Sequence, residues 1–253
     1  MKDDARELEQ CLGVLAVQSH PIDEIVVVDN ASTDDSAAVA ERGGARVVRC
    51  DEPGIPAAAA CGYDAARGDV ILRLDADSRP EDTWVATMVG ALEADATIAA
   101  VSGGAVFVDG PRMLRTVLAR LYVGTYLVLA SLALGHPPVF GSNLAMRREA
   151  WRDVRAHVHR HRELHDDLDL SFHLGEQHRV RWLPRARMGM SMRPFDVRRG
   201  VGRRVVRGLR TVAVHWPSDF PPFRAARRIV VALEAAAGGS TTPATVRALR
   251  RRA

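Results

Sequence analysis

The chain has 253 residues, 47% of them hydrophobic and 26% charged, which is enough to bury a full core and unlike a disordered or fibrous chain. Its formal charge of +4 rests almost wholly on arginine, since Lys2 is the single lysine, so phosphates or anionic lipid head groups are natural partners. Cys11, Cys50 and Cys61 are odd in number and lack Cys-x-x-Cys spacing, which favours neither a disulfide framework nor a cysteine zinc site and fits a reducing, cytoplasmic setting.

Met1 to Gln10 is charged where a secretory leader needs an apolar core, so no leader is expected there. Leu8, Cys11, Leu12 and Leu15 recur at helical spacing and predict an amphipathic helix. Ile25-Val26-Val27-Val28 is a continuous β-branched run of the type buried on both faces of a parallel sheet, and it places Asp29 at a strand's carboxyl end. Capping residues from Ala31 to Ser36 lead into an alanine-rich helix that stops near Gly43-Gly44. Ala45 to Cys50 predicts another strand, followed by a Pro/Gly loop and a small-residue helix over Ala57 to Ala66.

The run Gly68-Asp69-Val70-Ile71-Leu72-Arg73-Leu74 is a third strand, and it ends in Asp75-Ala76-Asp77. Two carboxylates one residue apart either bond their own turn or meet at one hard cation. Pro80 and Glu81-Asp82 then mark a helix start, with Trp84, Met88 and Leu92 on its apolar face. Strands alternating with helices predict a parallel α/β sheet whose ligands bind beyond the strands' carboxyl ends.

Further on, Thr97 to Phe107 predicts a strand bent at Gly103-Gly104. Leu121 to Leu134 is the longest apolar run and falls short of the ~20 residues of a spanning helix. It reads as a buried helix or one lying at a membrane surface, where Arg120, Tyr122 and Tyr126 would be suited. Pro138 to Met146 is a loop and short strand containing Gly141-Ser142-Asn143. His157, His159, His161 and His165 stand in a basic segment that reads as a solvated loop rather than a metal site. Asp166-Asp167-Leu168-Asp169-Leu170 opens a helix, where carboxylates are stabilised by free backbone N–H groups. Arg179 to Leu183 predicts a strand ending at Pro184. From Asp196 the chain is basic and helical, with Arg198, Arg199, Arg203, Arg204, Arg207 and Arg210, then Pro217, Pro221 and Pro222, and a Gly238-Gly239 break in a last basic region. The expected division is a domain over 1–195 and an extension over 196–253.

Two of these stretches together resemble the inverting family 2 glycosyltransferases of the GT-A fold. They are Leu12-x-x-Leu15-x-x-Gln18-x-x-Pro21-x-x-Glu24 through Asp29-Asn30-x-Ser32-x-Asp34, and Gly68-Asp69-Val70 through Asp75-Ala76-Asp77. Asp166-Asp167-Leu168-Asp169-Leu170 is similar to the family's Glu-Asp-x-Asp-Leu motif. The resemblance implies that Asp75 and Asp77 hold Mg²⁺ or Mn²⁺ and that Asp167, supported by Asp166, is the general base. It further implies that Asp29, Asn30, Ser32, Asp4 and Asp75 hold the nucleotide, and that Gly141, Ser142 and Asn143 lie near donor sugar or acceptor. The implied partners are a nucleotide-sugar donor, most often a UDP-sugar, and a glycan or lipid-linked acceptor. A peripheral place on the inner face of the membrane, through the arginine-rich region, completes the expectation.

The departures from the family are specific. Ala59 and Ala60 stand where the Gly-x-x-x-Ala-Arg-Asn-x-Gly pattern has Arg and Asn, and Asp166 stands where Glu is usual. The Gln-x-x-Arg-Trp sequence of processive synthases does not follow Arg193, which points to transfer of one sugar at a time. The family's opening hydrophobic strand is expected to be missing here, Lys2-Asp3-Asp4 falling in the turn after it, so that either the natural start lies upstream or the product is an impaired sugar-nucleotide-binding relative. A nucleic-acid-binding role fits poorly, because few aromatic residues interleave with the basic run.

Overall fold

The computed structural model describes residues 1–192, 201–216 and 219. The predicted alternation is present as α1 (Ala5–Leu15), β1 (Val26–Asp29), α2 (Ser36–Arg42), β2 (Arg46–Arg49), α3 (Ile55–Ala65) and β3 (Val70–Arg73). The two-residue β4 (Arg79–Pro80) and then α4 (Trp84–Glu93) follow. Pro80 therefore ends an edge strand rather than opening the helix, which suits a residue with no N–H to give a ladder.

The second half contains β5 (Ile98–Phe107), α5 (Arg112–Leu134), a 3₁₀ turn over Gly141–Asn143, β6 (Leu144–Arg147), α6 (Arg148–Val154), α7 (Asp166–Gln177), β7 (Arg179–Met190) and α8 (Val201–His215). The strand predicted to end at Pro184 instead runs on to Met190, because β7 resumes its pairing with β5 after a register shift opposite Gly103 and Gly104. Arg198, Arg199, the prolines after Trp216 and the Gly238-Gly239 break lie outside the described residues, as does the expected boundary at 195/196.

Two sheets form. β1 and β2 pair in parallel, while the second sheet has the order β3-β6-β5-β7-β4. In it β5 and β7 are parallel, and β3–β6, β5–β6 and β4–β7 are antiparallel. The α/β class holds, with more mixed pairing than strand–helix alternation implies, because the short link through the 3₁₀ turn delivers β6 between β3 and β5.

The sheets are bridged by helices. On α1, Leu8 and Leu12 pack with Val27, Val39 and Ala40, while Cys11 and Leu15 pack with Trp84, Val85 and Met88. α3 sets Tyr63 edge-on against Trp151, with ring centroids 4.9 Å apart. Each buried leucine, valine or methionine among them contributes about 1.5–3 kcal/mol.

β1 and β3 line the cleft between the sheets, and among the described residues no ladder joins them. Bonds from Arg46 N to Ile25 O (2.8 Å) and Cys50 N to Asp29 O (2.9 Å) turn the odd-numbered residues of β1 toward β2, so Val26 and Val28 present their backbone groups to the opposite side. Likewise Arg148 N bonds Asp69 O at 2.8 Å, which leaves the backbone of Val70 and Leu72 facing away from β6. One parallel rung occupies this space. The Met1 amine donates to Val28 O at 2.7 Å, and Asn30 N donates to Met1 O at 2.9 Å.

The helix α5 departs from its sequence reading. Its apolar stretch spans Met113–Leu134, 22 residues at mean hydropathy 1.8, so by length and composition it is long enough to cross a membrane. Met113, Leu114, Val117 and Leu118 lengthen the run, although Arg115 and Arg120 interrupt it. Ala119, Val123, Ala130 and Leu134 form its buried stripe, and Met113, Val117, Leu121, Leu129 and Leu132 are exposed. It is a surface helix with one core-facing side.

Candidate active site

A cleft of about 890 Å³ opens between the two sheets and collects residues from every predicted motif. Asp4, Asn30, Asp75, Asp77, Ser142, Asp166 and Asp167 all line it. Asp29, Ser32, Gly141 and Asn143 do not.

Asp75 leaves the carboxyl end of β3 into a turn in which its N–H bonds Ser78 Oγ at 3.1 Å. Its side chain is exposed, and Oδ2 accepts from Ser142 Oγ at 2.5 Å. The turn reading is satisfied, because the backbone closes the turn, and Asp75 and Asp77 both line the cleft. An all-oxygen donor set with two carboxylates fits a hard divalent cation such as Mg²⁺ or Mn²⁺.

Arg73, the last residue of β3, was not singled out by any sequence motif. Its Nη2 donates to Asp166 Oδ2 at 2.6 Å, and its Nη1 to Asp167 Oδ1 at 3.0 Å and Tyr63 Oη at 3.2 Å. This fork spans the N-terminal turn of α7. Burial alone would raise the Asp166 carboxyl, but the Arg73 charge outweighs it and holds Asp166 below the usual carboxylate range. Asp167 goes the other way. Burial first, and then the adjacent Asp166 charge, push it up to about 8. Two neighbouring carboxylates thus have opposite protonation preferences, one anchored as an anion and one poised to exchange a proton near neutrality.

Gly141 makes this approach possible. A Cβ there would stand 2.5 Å from Arg73 Nη1 and would overlap Asp167 Oδ1. Asn143, by contrast, is turned into the core. Its Oδ1 accepts from Trp84 Nε1 at 2.8 Å, and its Nδ2 donates to Gly104 O and Ala186 O, both at 2.9 Å. Its side chain is spent on pinning the β5–β7 irregularity, while the residue remains next to Ser142, which lines the cleft. Only Ser142 of the triplet offers a side-chain hydroxyl to the cleft.

The nucleotide loop is similarly divided. Asp29 is buried, and its Oδ1 accepts from Ser32 N at 3.0 Å. Asn30 Nδ2 donates to Cys50 O (2.8 Å) and Glu52 O (2.7 Å), and its Oδ1 accepts from Gly54 N (2.9 Å). These bonds make Asn30 a brace between loops, although it borders the cleft. Ser32 Oγ accepts from Asp3 N at 3.2 Å, and Asp4 N donates to Ser36 Oγ at 3.1 Å, which ties the start of α1 to the β1–α2 loop.

At the opposite rim, Arg204 and Arg207 of α8 and His165 also line the cleft. Arg204 donates to Tyr122 Oη at 2.9 Å. Among the described residues, Arg207 Nε and His165 Nδ1 are buried without a hydrogen-bond partner. Of the two alanines that replace Arg and Asn of the family pattern, Ala59 borders the cleft and Ala60 is fully buried.

The architecture, an α/β fold with a carboxylate pair after β3 and a second pair opposite, is that of a GT-A glycosyltransferase. Residues 2–155 match the family model described as glycosyl transferase family 2, and the chain belongs to that family. Among solved structures it is similar to a mannosyltransferase from Pyrobaculum calidifontis in complex with GDP-Man and Mn²⁺, at 23% identity and TM-score 0.66, covering 99% of this chain and 76% of that one. It is also similar to glucosyl-3-phosphoglycerate synthase from Mycobacterium tuberculosis in complex with Mn²⁺, UDP-glucose and phosphoglyceric acid, at 21% identity and TM-score 0.58, covering 84% and 75%. A third, described as a mycobacterial protein, has 20% identity and TM-score 0.55, and the chain spans 66% of its length. No curated protein matches.

Proposed function

We propose that this protein transfers one sugar, with inversion, from a nucleotide-diphosphate donor to an acceptor hydroxyl. The observation that carries the reading is Asp167. It is buried, pushed up to about 8, gripped by Arg73, and set across one cleft from the Asp75–Ser142 pair. A carboxylate of this kind takes the acceptor's proton as the hydroxyl attacks, and Arg73 and Gly141 fix its direction. Asp75 and Asp77 would hold Mg²⁺ or Mn²⁺, which neutralises the charge gathering on the departing diphosphate. Asp4 and Asn30, which line the cleft beside the loop braced by Asp29 and Ser32, would border the nucleoside.

The acceptor carries an anionic group in this reading, because the guanidinium groups of Arg204 and Arg207 line the cleft beside His165, and Arg207 Nε is buried without a hydrogen-bond partner among the described residues. A lipid-linked phosphate suits it best. The exposed apolar residues of α5 and α8, including Val205, Val206 and Leu209 beside the arginines, favour a place on an anionic membrane surface.

The test is a transfer assay with UDP- and GDP-sugars, Mn²⁺ and a polyprenyl-phosphate acceptor, run beside nucleotide-binding calorimetry. Asp167→Asn should keep donor binding and lose transfer. Transfer surviving in Asp167→Asn would sink the assignment of the base. A second reading, a relative that binds sugar nucleotides without turning them over, is favoured by the unladdered space between β1 and β3. Metal-dependent donor binding with no transfer by the unsubstituted protein would select it.

A further inference from the structure

Away from the cleft, α7, α8 and the loop after α6 meet at one buried carboxylate. Asp169 is fully buried, and three imidazoles surround its Oδ1: His159 Nδ1 at 2.7 Å, His215 Nε2 at 3.5 Å and His173 Nε2 at 3.8 Å. His215 Nε2 and His173 Nε2 are 3.4 Å apart, and one ligand atom from each of the four residues lies within 4.8 Å of all the others. A tetrahedral ion with bonds of about 2.0–2.1 Å to His nitrogen and carboxylate oxygen has ligand–ligand edges of about 3.3 Å. The observed separations fall around that edge.

The outer contacts are those a metal site uses. His215 Nδ1 lies 2.8 Å from Thr211 O, a group that can only accept, so Nδ1 carries the proton and the basic nitrogen of neutral His215 is Nε2, which faces the cluster. Asp169 Oδ2 accepts from His159 N at 2.8 Å, which orients Oδ1 inward. Phe172 stacks on the His215 ring with centroids 4.1 Å apart and holds its plane. Asp169 and His173 are four residues apart on one face of α7. His159 is 41% exposed and supplies an entry route, while the other three side chains are buried to 14% exposure or less.

We propose that Asp169, His159, His173 and His215 form a closed structural site for a borderline-soft divalent transition metal of the zinc class. Its donor set of three imidazoles and one carboxylate differs from the oxygen-only pair Asp75 and Asp77, so the two sites select different ions. The site fastens α8, which carries Arg204 and Arg207 to the cleft rim, onto the helix whose first turn holds Asp166 and Asp167. Neither the sugar donor nor the acceptor is needed for this inference, which stands if the proposed transfer fails.

The test uses full-length protein purified without a histidine tag. Metal analysis should find one equivalent of zinc per chain, retained in Asp75→Asn/Asp77→Asn and lost in His173→Gln/His215→Gln. Chelation should lower Tm by about 5 °C or more, with Zn²⁺ but not Mg²⁺ restoring it. Co²⁺ substituted into the stripped protein should give the visible bands of a tetrahedral ion, a readout that does not depend on any variant folding. Absence of bound metal together with an octahedral or featureless Co²⁺ spectrum would overturn the proposal in favour of a proton-linked His–Asp network, and so would zinc retained undiminished in a folded double-histidine variant.

Discussion

Arg73 reaches Asp167 across 94 residues of sequence and donates to its Oδ1 at 3.0 Å, so the end of a central strand and the first turn of a late helix act as one unit. Because Arg73 is the cation set between Asp166 and Asp167, removing it leaves two adjacent buried carboxylates facing each other. Arg73→Ala is expected to destabilise the fold by about 3–5 kcal/mol in equilibrium urea unfolding. Arg73→Lys restores the charge but not the two-pronged contact, and should recover stability better than turnover. Equal stability of Arg73→Ala and the parent would remove the clamp from the account.

The elevated Asp167 carboxyl gives transfer a defined pH response. Below about pH 8 Asp167 is protonated in the free protein and cannot accept a proton, so kcat/KM should climb with pH and level off above that value. The stability sign is opposite. With its folded value above the ordinary carboxylate value of about 4, the group's contribution to stability is complete below about pH 4 and is lost as pH rises toward about 8. Asp167→Asn should abolish the rising limb of the rate profile, reduce transfer by about 10²–10⁴-fold, and flatten stability between about pH 5 and 8. Paired pH–rate and pH–Tm series check both signs.

Gly141→Ala places a methyl group against Asp167 and Arg73. The expected result is a loss of about 1–3 kcal/mol and a fall in kcat larger than any change in donor affinity. A parental kcat in this variant would show that the approach of Gly141 to Asp167 has no bearing on turnover.

Asn143→Ala strands Trp84 Nε1 and two carbonyls that are otherwise satisfied. A loss of about 1–3 kcal/mol is expected, with the donor KM unchanged in the surviving folded protein. A selective rise in the donor KM at unchanged Tm would instead give Asn143 a direct part in holding the donor.

The strands β1, β2 and β3 and helices α1 to α4 were legible because continuous β-branched runs and helical spacing both refer to neighbours within a few residues. The positions of Asp75 and Asp167 at element ends, which bring both to the cleft, were legible for a related reason, since a short motif marks each. Arg73 was not. It reads as one polar residue in a strand until the chain folds α7 over it. Nor could spacing reveal that His159, His173 and His215 meet, because the last two are 42 residues apart and join only when α8 packs on α7. The core-facing direction of the Asn143 side chain was not legible, because its motif fixes the position of the backbone and not the direction of the side chain. The length of α5 was underestimated at Arg115 and Arg120, whose charges interrupt the apolar run without ending the helix.

The unladdered faces of β1 and β3 have a kinetic corollary. Among the described residues, every second amide in these strands, those of Val26, Val28, Val70 and Leu72, lacks a strand partner, whereas Val27 and Ile71 between them are bonded within their sheets. Hydrogen–deuterium exchange along either strand should therefore alternate fast and slow, residue by residue. The β1–α2–β2 unit is joined to the five-stranded sheet by side-chain packing from α1 and α3 rather than by backbone, so it is expected to exchange as a separate cooperative block that opens at lower denaturant than β5 and β7.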